Sequence, residues 1–270
     1  MSRPIFISLG AGVQSSTMLL MACAGELEEY GSPEAAIFAD TGWEPPAVYD
    51  WLSFLEAEVA GRIEIVRVSR GNLRDDYLDG LERQRHGGKG PPPIPLHVRG
   101  GGRPRGQMWR QCTNQYKLKA IFDEIRRRGY GGRKGEPVEQ WIGISFDEIQ
   151  RMKPSRVPWA RAAWPLIERR MTRHDCKLWM SRHGYPEPPK SACIACPYHS
   201  NPQWREIKAD AGLWADAVAF DRAIRKMPQV EGELFVHYSG LPLEEVDLRT
   251  PEDFGQMDLF GAECEGMCGV

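Results

Sequence analysis

Ser8-Leu-Gly-Ala-Gly-Val-Gln-Ser15 is the stretch whose reading decides the fold. Before it, Pro4 to Leu9 is short, rich in β-branched and aromatic residues and stopped by glycine, which predicts a buried strand. After it, Ser15 to Glu28 predicts a helix with Met18, Leu19, Met21 and Ala22 facing inward. A strand that bends on glycines straight into a helix is how α/β proteins hold phosphates. Gly10 and Gly12 permit close backbone approach and positive φ, and the first amides and dipole of the helix attract anions. No Gly-Lys-Ser/Thr follows, so the bend is not a Walker A loop, and Ser15 stands where a dinucleotide fingerprint has its third glycine. A plain strand–helix turn without a ligand is the competing reading.

Outward from the bend, strands and helices alternate. Ala35 to Ala39 predicts a second strand ending in Asp40-Thr41-Gly42, and Pro46 to Val59 a helix with Trp51, Leu52, Leu55 and Val59 at helical spacing. Ile63 to Val68 reads as a third strand, Asn114 to Arg128 as an amphipathic helix, and Gln140 to Ser145 as a fourth strand. Such alternation predicts an α/β fold, a doubly wound parallel sheet covered on both faces, with ligands at the carboxyl ends of its strands. Asp40 falls at such an end, where a carboxylate can receive ribose hydroxyls or the adenine amino group; its competing role is a turn or capping residue. Past about residue 150 the alternation fades into short helices, roughly 170–183, 201–209 and 211–227, and a strand from Leu234 to Tyr238. The expected organisation is a nucleotide-binding domain over 1–150 and a small helical, cysteine-rich region over 151–270 that ends in a loop-like tail.

The net charge of −2 excludes a polyanion binder by bulk charge. The longest apolar run, Met18 to Ala24, is too short to span a bilayer, and no signal-peptide pattern opens the chain. The expectation is a cytoplasmic enzyme without a membrane partner. In a reducing compartment its seven cysteines are ligands or reactive thiols rather than disulfides.

Cys193 and Cys196 form a C-x-x-C, with Cys112 lying 81 residues upstream and Cys176 17 residues before the pair. Four thiolates of this kind can close around a zinc ion or an iron–sulfur cluster. Cys23 falls in a predicted core helix and reads as packing. Cys264 and Cys268, on the tail, can attack bound sulfur, carry a persulfide or form a disulfide with each other. They can also be ligands in place of Cys176. His199 and His237 have no motif partner and read as structural. Residues 83–110 hold seven glycines, five prolines, seven Arg or Lys and no acid, which predicts an irregular insertion rather than a core element. Arg83, Arg85, Lys89, Arg99, Arg103, Arg105 and Arg110 can clamp a nucleic-acid backbone or a small nucleotide's phosphates, and Trp109 can stack on a base. A solvated loop is the alternative.

The pairing of Ser8-x-Gly-x-Gly-Val-Gln-Ser-Ser with Asp40-Thr-Gly-x-x-x-Pro-x-x-Tyr49 resembles the PP-loop superfamily, and within it the phosphoadenosine phosphosulfate (PAPS) reductase-like, adenine nucleotide alpha-hydrolase-like branch. Ordinary PP-loop pyrophosphatases carry Ser-Gly-Gly-x-Asp-Ser. Here Gly10 replaces the first serine, Ala11 the next glycine and Gln14 the aspartate, and a glutamine there is similar to PAPS reductases. Trp109-Arg-Gln-Cys112-Thr-Asn-Gln-Tyr-Lys117 resembles the Cys-Cys-x-x-x-Lys segment of reductases that bind a [4Fe–4S] cluster, with Thr113 in place of the second cysteine. Gly143-Ile-Ser-x-Asp147-Glu148-x-x-Arg151 resembles another segment of the branch.

The resemblance implies a Rossmann-like sheet and ATP or PAPS held by Ser8, Gly10, Gly12, Gln14, Ser15, Ser16, Asp40, Thr41 and Gly42. Lys117 and Arg151 would face phosphate. It also implies a [4Fe–4S] cluster, or zinc, on Cys112, Cys176, Cys193 and Cys196. Two activities follow from it. One is ATP-dependent adenylation and sulfur transfer to a nucleic acid or small molecule from a sulfur donor. The other is sulfite release by Cys264 with a thioredoxin-like reductant, because Glu263-Cys264 resembles the start of the reductase tail. A non-catalytic nucleotide-binding subunit of a larger complex is the third reading.

Overall fold

The structure, a computed structural model, describes residues 3–100 and 103–255. Along the chain the strands are β1 Ile5–Leu9, β2 Pro33–Asp40, β3 Glu64–Ser69, β4 His97–Gly100, β5 Arg103–Gln107, β6 Val138–Ile142, β7 Ala160–Ala163 and β8 Glu233–Phe235. The α-helices are α1 Val13–Cys23, α2 Pro46–Glu58, α3 Leu73–Arg85, α4 Lys119–Arg127, α5 Pro165–Glu168, α6 Arg173–Arg182, α7 Asn201–Ala209 and α8 Ala211–Ala223. A π-helix, Thr113–Leu118, runs into α4.

The chain divides into two compact units. Among the described residues the first holds 3–70 and 116–191, and the second 71–115 and 192–255. This differs from the expected break near 150. The reason lies in the sheet: β7 pairs in parallel with β6, so the first unit is not closed until after residue 160. The long excursion at 71–115 belongs to the second unit.

The first unit is built on a parallel sheet of strand order β3-β2-β1-β6-β7. This is the Rossmann-like α/β architecture, and its strand order reverses direction at β1/β6, the place where such sheets take ligands. The period-2 alternation of strands sorts the side chains. Ile5, Ile7, Leu9, Ala36 and Phe38 join Met18, Leu19 and Leu52 on one face. Phe6, Ala35, Ile37 and Ala39 join Ile121 and Ile125 of α4 on the other. Both faces are covered, which is why β1 and β2 are apolar almost throughout.

The second unit carries an antiparallel sheet of order β5-β4-β8. Residues 83–110 are therefore irregular only in part. They supply the end of α3 and the β4–β5 hairpin, and Ile94 and Leu96 are buried. A Cβ on Gly80 of α3 would lie 2.4 Å from Pro91 Cα, so that glycine lets the proline run pack on the helix.

Candidate functional site

β1 ends at Leu9 and α1 begins at Val13, with Gly10-Ala11-Gly12 between. The positive φ of the bend falls on Ala11, at +55°, and not on Gly10 or Gly12 as expected. Ala11 is fully buried, and its left-handed backbone is a strained conformation held by its surroundings. Ser15 fastens the bend: its Oγ accepts from the Gly10 amide at 3.2 Å and donates to the Gly12 carbonyl at 3.3 Å. Gly12 is the N-cap of α1 and provides no side-chain cap, and the first turn has no acid. A Cβ built on Gly12 meets nothing within 4 Å, so open space adjoins the helix start. An uncapped, acid-free helix N-terminus beside free volume suits an anionic group.

Gly143, just beyond β6, completes this arrangement. A Cβ there would lie 2.7 Å from both the N and Cα of Ser15, so only glycine lets the end of β6 approach α1 so closely. Ser8 and Ser16 have other work. Gln140 donates to Ser8 Oγ at 2.6 Å, and Trp51 donates to Ser16 Oγ at 2.9 Å. Ser8 is thereby tied to β6, and Ser16, fully buried, to α2.

Gln14, in the first turn of α1, is the hub of a polar network. Its amide donates to Glu148 Oε2 at 3.1 Å and to Ser145 at 3.4 Å, and its carbonyl accepts from Arg173 at 3.1 Å. Glu148 Oε1 accepts from Arg151 at 2.6 Å, and Arg173's backbone amide donates to Asp147 at 3.0 Å. The network thus gathers Gln14 and Arg151, both expected, with Arg173, which the sequence reading passed over. Arg173 opens α6 behind the Thr172–Asp175 capping box, and the Thr-x-x-Asp pattern was the available signal for that helix start.

At the end of β2, Asp40 Oδ1 accepts from the Gly42 amide at 2.7 Å and from the Tyr49 hydroxyl at 2.9 Å. Burial, reinforced by the Asp40 bond, pushes the Tyr49 phenol up, so it stays a donor. Thr41 donates to Glu44 Oε1 at 3.3 Å. Lys117 Nζ reaches the same oxygen at 3.4 Å from the π-helix. The expected continuous helix from Asn114 is thereby altered at the residue that carries this cation, and π-turns of this kind recur at functional positions.

The cysteines divide between the units. Cys176 lies on α6 of the first unit, fully buried among apolar side chains. Burial pushes its thiol up to about 12. The ligand role expected of Cys176 thus stands against a fully buried, apolar setting. Cys112, Cys193 and Cys196 belong to the second unit and are half-buried. The C-x-x-C turn is closed by the Cys196 amide on the Cys193 carbonyl at 3.0 Å. His199 Nε2 donates to that same carbonyl at 2.9 Å, so its structural reading gains a specific contact. Among the described residues no three His, Cys, Asp or Glu side chains gather into a metal-holding group. Cys264 and Cys268, the alternative ligands, lie outside the described residues.

His237 is buried in the second unit, with Nε2 on Asn201 Oδ1 at 3.1 Å and the Ser239 amide donating to Nδ1 at 3.1 Å. Of the basic residues in 83–110, Arg85 pairs with Glu82 at 2.9 Å, Arg99 donates to the Gly240 carbonyl at 3.0 Å and Arg110 covers the Tyr198 ring. Trp109 is 85% exposed.

No protein-family model matches the chain, and no curated protein matches it. Among solved structures the chain is similar to PAPS reductase from Candida auris, in a phosphate complex. The TM-score is 0.40 and the identity 12%, over 68% of this chain and 75% of that one. The α/β architecture itself stands on the strand order above. No described helix is long and apolar enough to cross a membrane.

Proposed function

We propose that the first unit binds an adenine nucleotide at the carboxyl ends of β1, β2 and β6, and uses it as an enzyme of the PAPS reductase-like PP-loop kind. The observation that carries this reading is the start of α1: a strained, buried Ala11, an uncapped Gly12 with open space beside it, and a Gly143 that admits no side chain. The α1 amides would hold phosphate, with Lys117 and Arg151 supplying positive charge and Asp40 and Thr41 lying on the nucleoside side.

In the favoured activity the chain adenylates an acceptor. An acceptor oxygen attacks the α-phosphorus of ATP, the bond to the β,γ-phosphates breaks, and pyrophosphate leaves. A sulfur nucleophile then displaces AMP from the activated carbon. The role of Lys117 and Arg151 is to stabilise charge on the departing pyrophosphate. Exposed Trp109 in the basic stretch 83–110 supports a nucleic-acid acceptor. A second reading, reduction of a sulfonucleotide by Cys264, is favoured by Gln14, whose neutral side chain occupies the place of an aspartate and is held by Arg173. No step is routed through a metal centre in either reading.

Two product assays separate them. Pyrophosphate release from ATP in the presence of acceptor and a sulfide donor supports the first. Sulfite release from PAPS with thioredoxin supports the second. If neither nucleotide binds, the proposal falls.

A further inference from the structure

Glu44 is the one buried carboxylate at the end of β2 among the described residues, and nothing in its motif marks it. Its side chain is 0% exposed. Oε1 takes both neighbouring donors, Thr41 at 3.3 Å and Lys117 at 3.4 Å. Oε2 is buried and has no hydrogen-bond partner. The residue is tied into the Asp40 cluster, because the Tyr49 hydroxyl that bonds Asp40 is also bonded by the Glu44 backbone.

A buried carboxylate oxygen without a donor is rare in a native structure, since it has lost its water without replacement. Lys117 compensates the charge of Glu44 but not the second oxygen. The missing element is a hydrogen-bond donor, which no described residue supplies. We infer that Glu44 is a specificity residue whose Oε2 accepts a hydrogen bond from a neutral N–H or O–H donor of the bound nucleoside. This deepens the nucleotide-binding reading and rests on it.

Two groups of an adenine nucleotide carry such a donor: the exocyclic amine and a ribose hydroxyl. Titration calorimetry on the full wild-type chain separates them, using ATP and AMP with their inosine, 2′-deoxy and 3′-deoxy counterparts. A loss of at least tenfold in one arm identifies the donor and supports the inference. A site built to hydrogen-bond a group rejects the analogue lacking it.

In Glu44→Gln, Lys117 retains the amide carbonyl and the NH2 group points where Oε2 stood. If the amine is the donor, inosine nucleotides then bind better than adenosine nucleotides. If a hydroxyl is the donor, it can turn and accept from that NH2, so the deciding variant is Glu44→Ala, in which the deoxy penalty falls below about threefold. Wild-type binding of all analogues within threefold, no inosine preference in Glu44→Gln where the amine is the donor, or an unchanged deoxy penalty in Glu44→Ala where a hydroxyl is, overturns the inference and leaves the nucleotide reading standing. Failure of the wild-type chain to bind either ATP or AMP overturns both. If Glu44→Gln does not fold, the wild-type arms alone decide.

Discussion

Gly12→Ala separates binding from folding. Gly12 sits at φ −97° and ψ 179°, a conformation open to any residue, and a Cβ there meets no heavy atom within 4 Å. Neither backbone geometry nor packing therefore requires glycine. Alanine is the poorer N-cap, by up to about 1 kcal/mol. It also restricts the unfolded chain, which returns about 0.4–1 kcal/mol. The net change is within about 1 kcal/mol, or about 2–4 °C in Tm for a domain of this size. Binding responds differently, because the methyl occupies the space where phosphate would approach the α1 amides. A tenfold weakening, about 1.4 kcal/mol, is the least expected. The assay is a thermal melt paired with calorimetric titration of ATP and PAPS. Unchanged affinity in a folded variant would refute the assignment of that space to phosphate. A Tm loss well beyond 4 °C would show that the space is not open.

Further outcomes follow from the same contacts. Gly143→Ala drives a Cβ to 2.7 Å from Ser15 backbone atoms and should cost about 1–3 kcal/mol of stability, read as a clear Tm drop; an unmoved melt would contradict the packing of β6 on α1. Arg173→Ala removes the donor to the Gln14 carbonyl and should weaken nucleotide binding at least about fivefold, with partial recovery in Arg173→Lys; equal affinity in all three proteins would remove Arg173 from the site. Cys176 should resist thiol reagents at pH 8 until the chain is unfolded. Its raised thiol makes its contribution to stability complete below about 9 and lost as pH rises toward about 12, so rapid native labelling would contradict its core placement. His237 is lowered to about 4, first by burial and then by His97. Its neutral form is the folded one, so stability should fall as pH drops from 6.5 toward 4, and Asn201→Ala should alter that acid limb.

Much of the first unit is legible from local pattern. β1 and β2 fall close to their expected places because both faces of the sheet are buried there and the runs are apolar, β3 because it alternates, and α2 because its apolar residues keep helical spacing. β7 is four residues of Ala-Arg-Ala-Ala, which carries no strand signal; pairing with β6 makes it one. The positive φ at Ala11 is not readable, since the residue type argues against it and only tertiary contacts impose it. The stretch 83–110 misleads by composition. Its Pro91 packs on Gly80 of α3, and its Val98 and Gly106 pair in the hairpin. The spacing of Cys176 gives no sign that α6 places it in the apolar core. Arg173 and Glu44 have no motif at all, and only the bonds to Gln14 and Lys117 single them out.

The most direct measurement is diffraction from the chain co-crystallised with a non-hydrolysable ATP analogue. The account predicts phosphate density against the amides of residues 12–15, with the base toward Asp40 and Glu44. Nucleotide density elsewhere on the chain, with the start of α1 bare, would contradict it.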